Sequence, residues 1–193
     1  MPAVNRFPSS AGGAGFKPLA DYVHGLGLKF GVHMMRGIPR DAVAQNTPIL
    51  GTSYTAHDIA DTGSTCPWNP DMYGVDMSQP GAQEYYNSLY DLFAGWGVDY
   101  VKVDDISRPY DNVQKAEIEG IRNAIDQCGR KIVFSMSPGA TPLTEGLHVS
   151  QNANLWRISD DFWDAWWALD AQFQRLDDWS QWSADGHYPD ADM

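Results

Sequence analysis

The stretch 98-VDYVKVDD-105 reads as a short, largely apolar strand that stops on two carboxylates. The same pattern surrounds it. Upstream, 80-PGAQEYYNSLYDLFAGWG-97 has Pro at a helix start, apolar spacing through Tyr85, Leu89, Leu92 and Phe93, and a closing glycine. Downstream, 110-YDNVQKAEIEGIRNAIDQCG-129 reads as helix and 131-KIVFSMS-137 as strand. A Pro/Gly loop follows, then 153-ANLWRIS-159 as strand and about two dozen residues of helical pattern from Asp160. Nearer the N-terminus, the helix candidate 16-FKPLADYVHGLG-27 feeds the strand candidate 28-LKFGVHMM-35, and residues 36–79 read as irregular. A last strand candidate, 187-HYPDADM-193, closes the sequence.

Helices alternating with short apolar strands predict parallel βαβ units, because such strands are covered on both faces and each crossover needs a helix. An open doubly wound sheet and a (β/α)8 TIM barrel both satisfy the pattern. No glycine-rich phosphate fingerprint follows any strand, which counts against nucleotide binding. Barrel enzymes set their chemistry at the C-terminal ends of the strands. Those ends here carry His33 and Arg36, Asp104 and Asp105, Ser137, then Asp160 and Asp161. About five βα units are legible, too few for an eight-stranded barrel of roughly 250 residues. The expectation is therefore one partial catalytic (β/α)8 barrel domain over residues 1–193.

Charge and composition narrow the function. The net charge is −12, with 25 acids against 13 bases and no basic cluster, so nucleic acid is not an expected partner. No apolar run approaches the ~20 residues of a membrane span, and a membrane partner is not expected. Cys66 and Cys128 fit neither a disulfide framework nor a metal-ligand spacing, and leave their own role and the compartment open. Of the eight tryptophans, Trp163, Trp166 and Trp167 stand at i, i+3, i+4, the spacing of a helix packing face; a stacking platform for sugar rings is the other reading.

Four acids at strand ends, without a Ser-His-Asp order or a metal cluster, suggest acid/base work by carboxylates alone. Glycoside hydrolysis is built that way. Its retaining form needs one ionised carboxylate as nucleophile and one protonated carboxyl as acid, roughly 5 to 5.5 Å apart. Singly, each aspartate has a plainer reading: Asp104 closes a strand, and Asp160 or Asp161 caps a helix.

Taken together, 7-FPSSAGGAGFKPLADYVHGLGLKFGV-32, 101-VKVDD-105, 156-WRISDDFWDAW-166 and 188-YPDADM-193 resemble glycoside hydrolase family 27, the melibiase or α-galactosidase family. The resemblance covers nearly the whole chain and corresponds to strands three to seven of the family's catalytic barrel. The N-terminal strands, the last strand and the family's C-terminal β-sandwich have no counterpart here. It implies that Asp104 is the nucleophile and Asp161 the acid/base. Lys102, Arg157, Asp192 and, less directly, Asp190 would bind sugar hydroxyls. Asp160 would be the neighbour of the acid, at the helix cap.

Physical chemistry adds detail to these roles. Lys102, two residues before Asp104, shares its strand face and would lower its pKa. Asp160 beside Asp161, with burial against Phe162 and Trp163, would raise the acid's.

Ser137 stands where α-galactosidases of the family carry a glutamate, which resembles the α-N-acetylgalactosaminidase branch and leaves room for a bulky 2-substituent. At the first strand the chain has HMMRG, so His33 and Arg36 would line a different subsite; a core position for His33 is the alternative. The implied activity is that of a retaining exo-glycosidase. It would remove terminal α-galactosyl-type residues through a covalent glycosyl-aspartate, with a carbohydrate substrate and no cofactor or metal. An α-N-acetylgalactosaminidase, a β-L-arabinopyranosidase and a catalytically silent barrel fragment are the alternatives. The family implies export, to a secreted, periplasmic or lysosomal-type location, while the oligomeric state stays open.

Overall fold

A computed structural model describes residues 2–192, so Met193, at the end of the last strand candidate, lies outside the described residues. Two sheets organise the chain. The larger is formed by β1 (Gly31–Met35), β5 (Tyr100–Asp104), β6 (Val133–Met136), β7 (Leu155–Arg157) and β8 (Tyr188–Asp190), in that order and parallel throughout. Its crossovers carry the helices α4 (Ala82–Trp96), α5 (Asn112–Gln127), α6 (Gly146–Asn152) and α7 (Trp166–Trp179). A further helix, α1 (Lys17–Gly25), leads into β1. The expected βαβ alternation is therefore present as an α/β fold with a five-stranded parallel sheet.

The smaller sheet differs from the sequence reading of residues 36–79 as irregular. β2 (Ile38–Pro39), β3 (Ala60–Thr65) and β4 (Met72–Val75) pair antiparallel in the order β2-β4-β3, flanked by the short helices α2 (Arg40–Ala44) and α3 (Ala56–Ile59). These strands are two to six residues long and broken by a register shift between Asp61 and Thr65, so no alternation survives in the sequence. α6 likewise lies where a Pro/Gly loop was expected. α7 begins at Trp166 rather than Asp160, with Ala165 at its N-cap, so neither Asp160 nor Asp161 caps it.

Local signals place the helices that matter. Asp111 caps α5 by accepting from the N–H groups of Val113 and Gln114, and Gly97 ends α4 in the left-handed conformation at φ 82°. α4 buries Tyr86, Tyr90 and Phe93 at i, i+4, i+7, and α5 buries Ile118, Ile121 and Ile125. Both pack on the outer side of the sheet, against Val101 and Val103 of β5 and Phe134 and Met136 of β6. Because residues alternate along a strand, Lys102 and Asp104 must point the other way.

Beneath β7, Trp156 is fully buried and its ring centroid stands 5.8 Å from that of Trp179. Trp163, Trp166 and Trp167 are instead 73%, 75% and 77% exposed in this chain, so they are not a packing face within it. The α7 side that turns inward carries Ala168, Gln172 and Trp179.

Removing Trp156 should leave a large cavity under β7. Trp156→Ala is expected to lower stability by about 3–5 kcal/mol in a denaturant titration. A loss below about 1 kcal/mol would mean that this ring does not carry the core between β7 and α7.

Candidate active site

The C-terminal ends of β5, β6 and β7 meet around a cleft of about 410 Å³ lined by Trp68, Lys102, Asp104, Arg108, Ser137, Pro138, Arg157, Asp160 and Asp161. Strand register brings these groups together: His33 pairs with Lys102, and Lys102 with Ser135. The loop after β6 can lie against the backbone after β7 because residue 139 is glycine. A Cβ there would stand 1.3 Å from the Ser159 carbonyl oxygen. A hollow of similar volume, about 440 Å³, lies at the other end of the strands, among Arg122, Arg130 and Lys131, and lacks a facing pair of carboxylates.

Asp104 ends β5 with its side chain 21% exposed. One oxygen accepts the Asp105 backbone N–H at 2.8 Å, and the other lies 3.3 Å from His33 Nε2. His33 is 55% exposed, so it is not a core histidine; it stands at the edge strand beside Asp104.

Across the cleft, Arg157 is 3% exposed and joins two acids. Its Nη2 donates to Asp161 at 2.9 Å, and its Nη1 pairs with Asp192 at 2.9 Å. Arg157 Nε is buried and has no acceptor among the described residues. Asp192 also accepts the Phe162 N–H at 2.9 Å, which holds the post-β7 loop against the end of β8.

Asp190, at the end of β8, accepts the Asp192 N–H at 3.0 Å and does not line the cleft. Ser137 is 2% exposed at the cleft floor, with its backbone bonded to Val103 and Ile106. The structure thus gathers Lys102, Asp104, Ser137, Arg157 and Asp161, with His33 and Asp192 one contact away and Asp190 set back.

Three details depart from the sequence reading. Asp161 is 56% exposed and Trp163 is 73% exposed, so the acid is not buried against that ring. Asp160 pairs with Arg108 at 2.6 Å, which supplies a counter-charge beside Asp161 instead of a bare like charge. Arg36 lines no subsite, because it is 3% exposed behind the cleft.

Sequence reasoning missed what Arg36 does. Its Nη2 pairs with Asp105 at 3.0 Å, its Nε donates to the Asp105 carbonyl at 2.7 Å, and its Nη1 pairs with Glu117 at 2.7 Å. Glu117 is fully buried and also accepts the Tyr86 hydroxyl. Two buried carboxylates therefore share one guanidinium. Burial pushes the Glu117 carboxyl up, against the pull of Arg36, and burial raises Asp105 in the same way. A signal existed in the sequence: Glu117 stands in phase with Ile121 and Ile125, on the apolar face of α5.

Among the described residues, no group of three His, Cys, Asp or Glu could hold a metal ion, and no helix is long and apolar enough to cross a membrane. Cys66 and Cys128 are free thiols.

A fold of parallel strands with acids and a buried arginine gathered at their C-terminal ends has the form of a carbohydrate-hydrolase site. A family model described as Melibiase_2, alpha galactosidase A, matches residues 71–193. The chain belongs to this family, glycoside hydrolase family 27. It is 27% identical to an alpha-galactosidase of Oryza sativa subsp. japonica over 100% of this chain and 36% of that one. It is 30% identical to the alpha-N-acetylgalactosaminidase of Homo sapiens over 100% of this chain and 39% of that one. Among solved structures, a GH27 β-L-arabinopyranosidase from Geobacillus stearothermophilus, in complex with arabinose, matches with a TM-score of 0.96 and 60% identity, over 100% of this chain and 45% of that one. The chain spans less than half the length of these relatives.

The buried network predicts a pH signature. A carboxyl whose folded pKa is raised binds its proton more tightly in the native state. Its contribution to stability is full below its ordinary value of 4.5 and is lost as pH rises through the folded value. Glu117→Gln should therefore flatten the decline in melting temperature as pH rises from about 4.5. An unchanged pH profile would contradict the assignment. Arg36→Met, which strands both carboxylates, should cost about 3–5 kcal/mol at neutral pH.

Proposed function

We propose that the chain forms five consecutive βα units, strands three to seven, of a (β/α)8 barrel, and that the barrel's cleft is the glycone site of a retaining exo-glycosidase. The observation that carries this reading is the presence of Asp104 and Asp161 on one cleft, at the ends of β5 and β7, with Arg157 bonded to Asp161. Asp104 attacks the anomeric carbon as the glycosidic bond breaks. Asp161 delivers its proton to the departing oxygen. A covalent glycosyl-aspartate results. Asp161, now ionised, takes a proton from water, which displaces Asp104 and returns both groups to their starting states.

Lys102, Ser137, Arg157, Asp192, Asp190 and His33 are the proposed sugar-binding set. Arg157 lines the cleft, and its guanidinium Nη groups, now bonded to Asp161 and Asp192, are donors of the kind that recognise sugar hydroxyls. His33 beside Asp104 reaches the same space from β1. Asp190 acts at one remove, by holding the Asp192 backbone. The reaction calls for no cofactor.

The substrate class is a terminal sugar of galactose configuration, of the α-galactosyl type. A second reading, β-L-arabinopyranosides, is favoured by the 60% identity to a β-L-arabinopyranosidase, and these sugars share the relevant hydroxyl geometry.

The test is hydrolysis of aryl α-galactoside, α-N-acetylgalactosaminide and β-L-arabinopyranoside by the full-length protein and its Asp104→Ala variant. One glycoside should turn over with retention of anomeric configuration, and Asp104→Ala should lose at least ~10³-fold in kcat. Full activity in the variant, or inversion of configuration, would contradict the reading.

A further inference from the structure

The cleft has a depth gradient that the roles above leave unused. Ser137 and Arg157 on its floor are 2% and 3% exposed, and Asp104 is 21% exposed at the strand end. Asp161 is 56% exposed, and beyond these stand three groups of one rim: Trp68 at 50%, Arg108 at 47% and Asp160 at 65%. A general acid stands on the leaving-group side of the scissile bond, so whatever departs lies toward the open side of Asp161. That side is the rim.

The rim is built rather than incidental. Trp68 sits in the connection between β3 and β4, two residues after Cys66, a buried thiol. The Cys66 thiol, at the foot of this loop, lies beside the Asp105 carboxylate. Asp105 is in turn held by Arg36. The Trp68 loop therefore starts beside the residue that follows Asp104 at the strand end. Arg108, from the loop after β5, lies 5.8 Å from the Trp68 ring centroid and pairs with Asp160 next to the acid. Half of the indole stays open on the cleft.

We propose that Trp68, with Arg108 and Asp160, forms the subsite for the leaving group, and that its ligand is a six-membered ring, a pyranose in a natural oligosaccharide, stacked on the indole. This rests on the retaining-glycosidase reading above. The flat apolar face of a pyranose or aryl ring matches the exposed indole, while Arg108 can donate to, and Asp160 accept from, the substituents at the ring edge. The subsite selects what is removed from the sugar, not the sugar itself.

The experiment compares two substrates of one glycone, β-L-arabinopyranose first, in the full-length protein. The nitrophenyl glycoside carries a ring on its leaving side, and the glycosyl fluoride carries none. For Trp68→Ala, the ratio of kcat/KM for the nitrophenyl glycoside to that for the fluoride should fall about tenfold, and Trp68→Phe, which keeps a ring, should restore most of it. An unchanged ratio, whether because both substrates lose equally or because neither does, overturns the subsite. Because the fluoride bypasses the rim, it also isolates the underlying reading. Failure of the unaltered protein to cleave the fluoride of any of the three glycones, or undiminished cleavage by Asp104→Ala, would sink the glycosidase assignment itself and this inference with it.

Discussion

One guanidinium decides how the two carboxylates at the end of β5 are used. Arg36, leaving β1, bonds the Asp105 carbonyl, the Asp105 carboxylate and Glu117 of α5, while its own backbone N–H donates to the Asp104 carbonyl at 2.9 Å. Asp105 adopts φ 62°, the left-handed region, which costs a residue with a side chain roughly 1–2 kcal/mol. That cost is offset by the bonds to Arg36. The turn sends Asp105 inward, where it is 3% exposed, and leaves Asp104 facing the cleft. Two adjacent aspartates thus split into one held in a buried network and one that faces the cleft. A network of buried charges is sensitive to the loss of any member, since a stranded carboxylate at zero exposure has no solvent to turn to.

A second arginine organises the opposite wall by the same principle. Arg157 is as buried as Arg36, but its two acids differ in exposure: Asp192 is buried with it, and Asp161 reaches the open cleft. The inward pair fixes the guanidinium between the ends of β7 and β8. The outward bond then points Asp161 across from Asp104. On this wall the exposed partner of the buried arginine faces the cleft, whereas on the β5 wall both partners of Arg36 are buried and Asp104 is placed through the backbone. The pairing of Arg108 with Asp160 extends the wall outward at higher exposure, where such a pair contributes less to stability and is freer to contact a ligand.

Much of this was legible in the sequence for physical reasons. Period-3.6 spacing and glycine stops located α4 and α5 to within about two residues, because those helices bury one continuous stripe. The strand ends were legible because polar residues interrupt short apolar runs, and three of these ends, those of β5, β6 and β7, carry most of the cleft residues. The antiparallel sheet of β2, β3 and β4 was not legible: its strands are too short to show a period, and a register shift breaks one of them. The start of α7 was misplaced because Phe162 and Trp163 continue its apolar spacing although the backbone there is not helical. The Arg36 network was hidden because its members, residues 36, 105 and 117, come from three elements, and only tertiary contact makes an acid in the apolar phase of α5 intelligible. The tryptophan stripe shows the limit of periodicity: spacing identifies a face, and the contacts decide whether anything covers it.

The central claim is that Asp104, aimed by the Arg36 turn, forms a covalent bond to the sugar. The direct measurement is mass spectrometry of the full-length protein after reaction with a fluorinated glycosyl fluoride that forms the intermediate quickly and releases it slowly. The account predicts one added glycosyl unit, located by peptide sequencing at Asp104. Labelling at another residue, or turnover of the natural sugar with no adduct ever accumulating at Asp104, would contradict it.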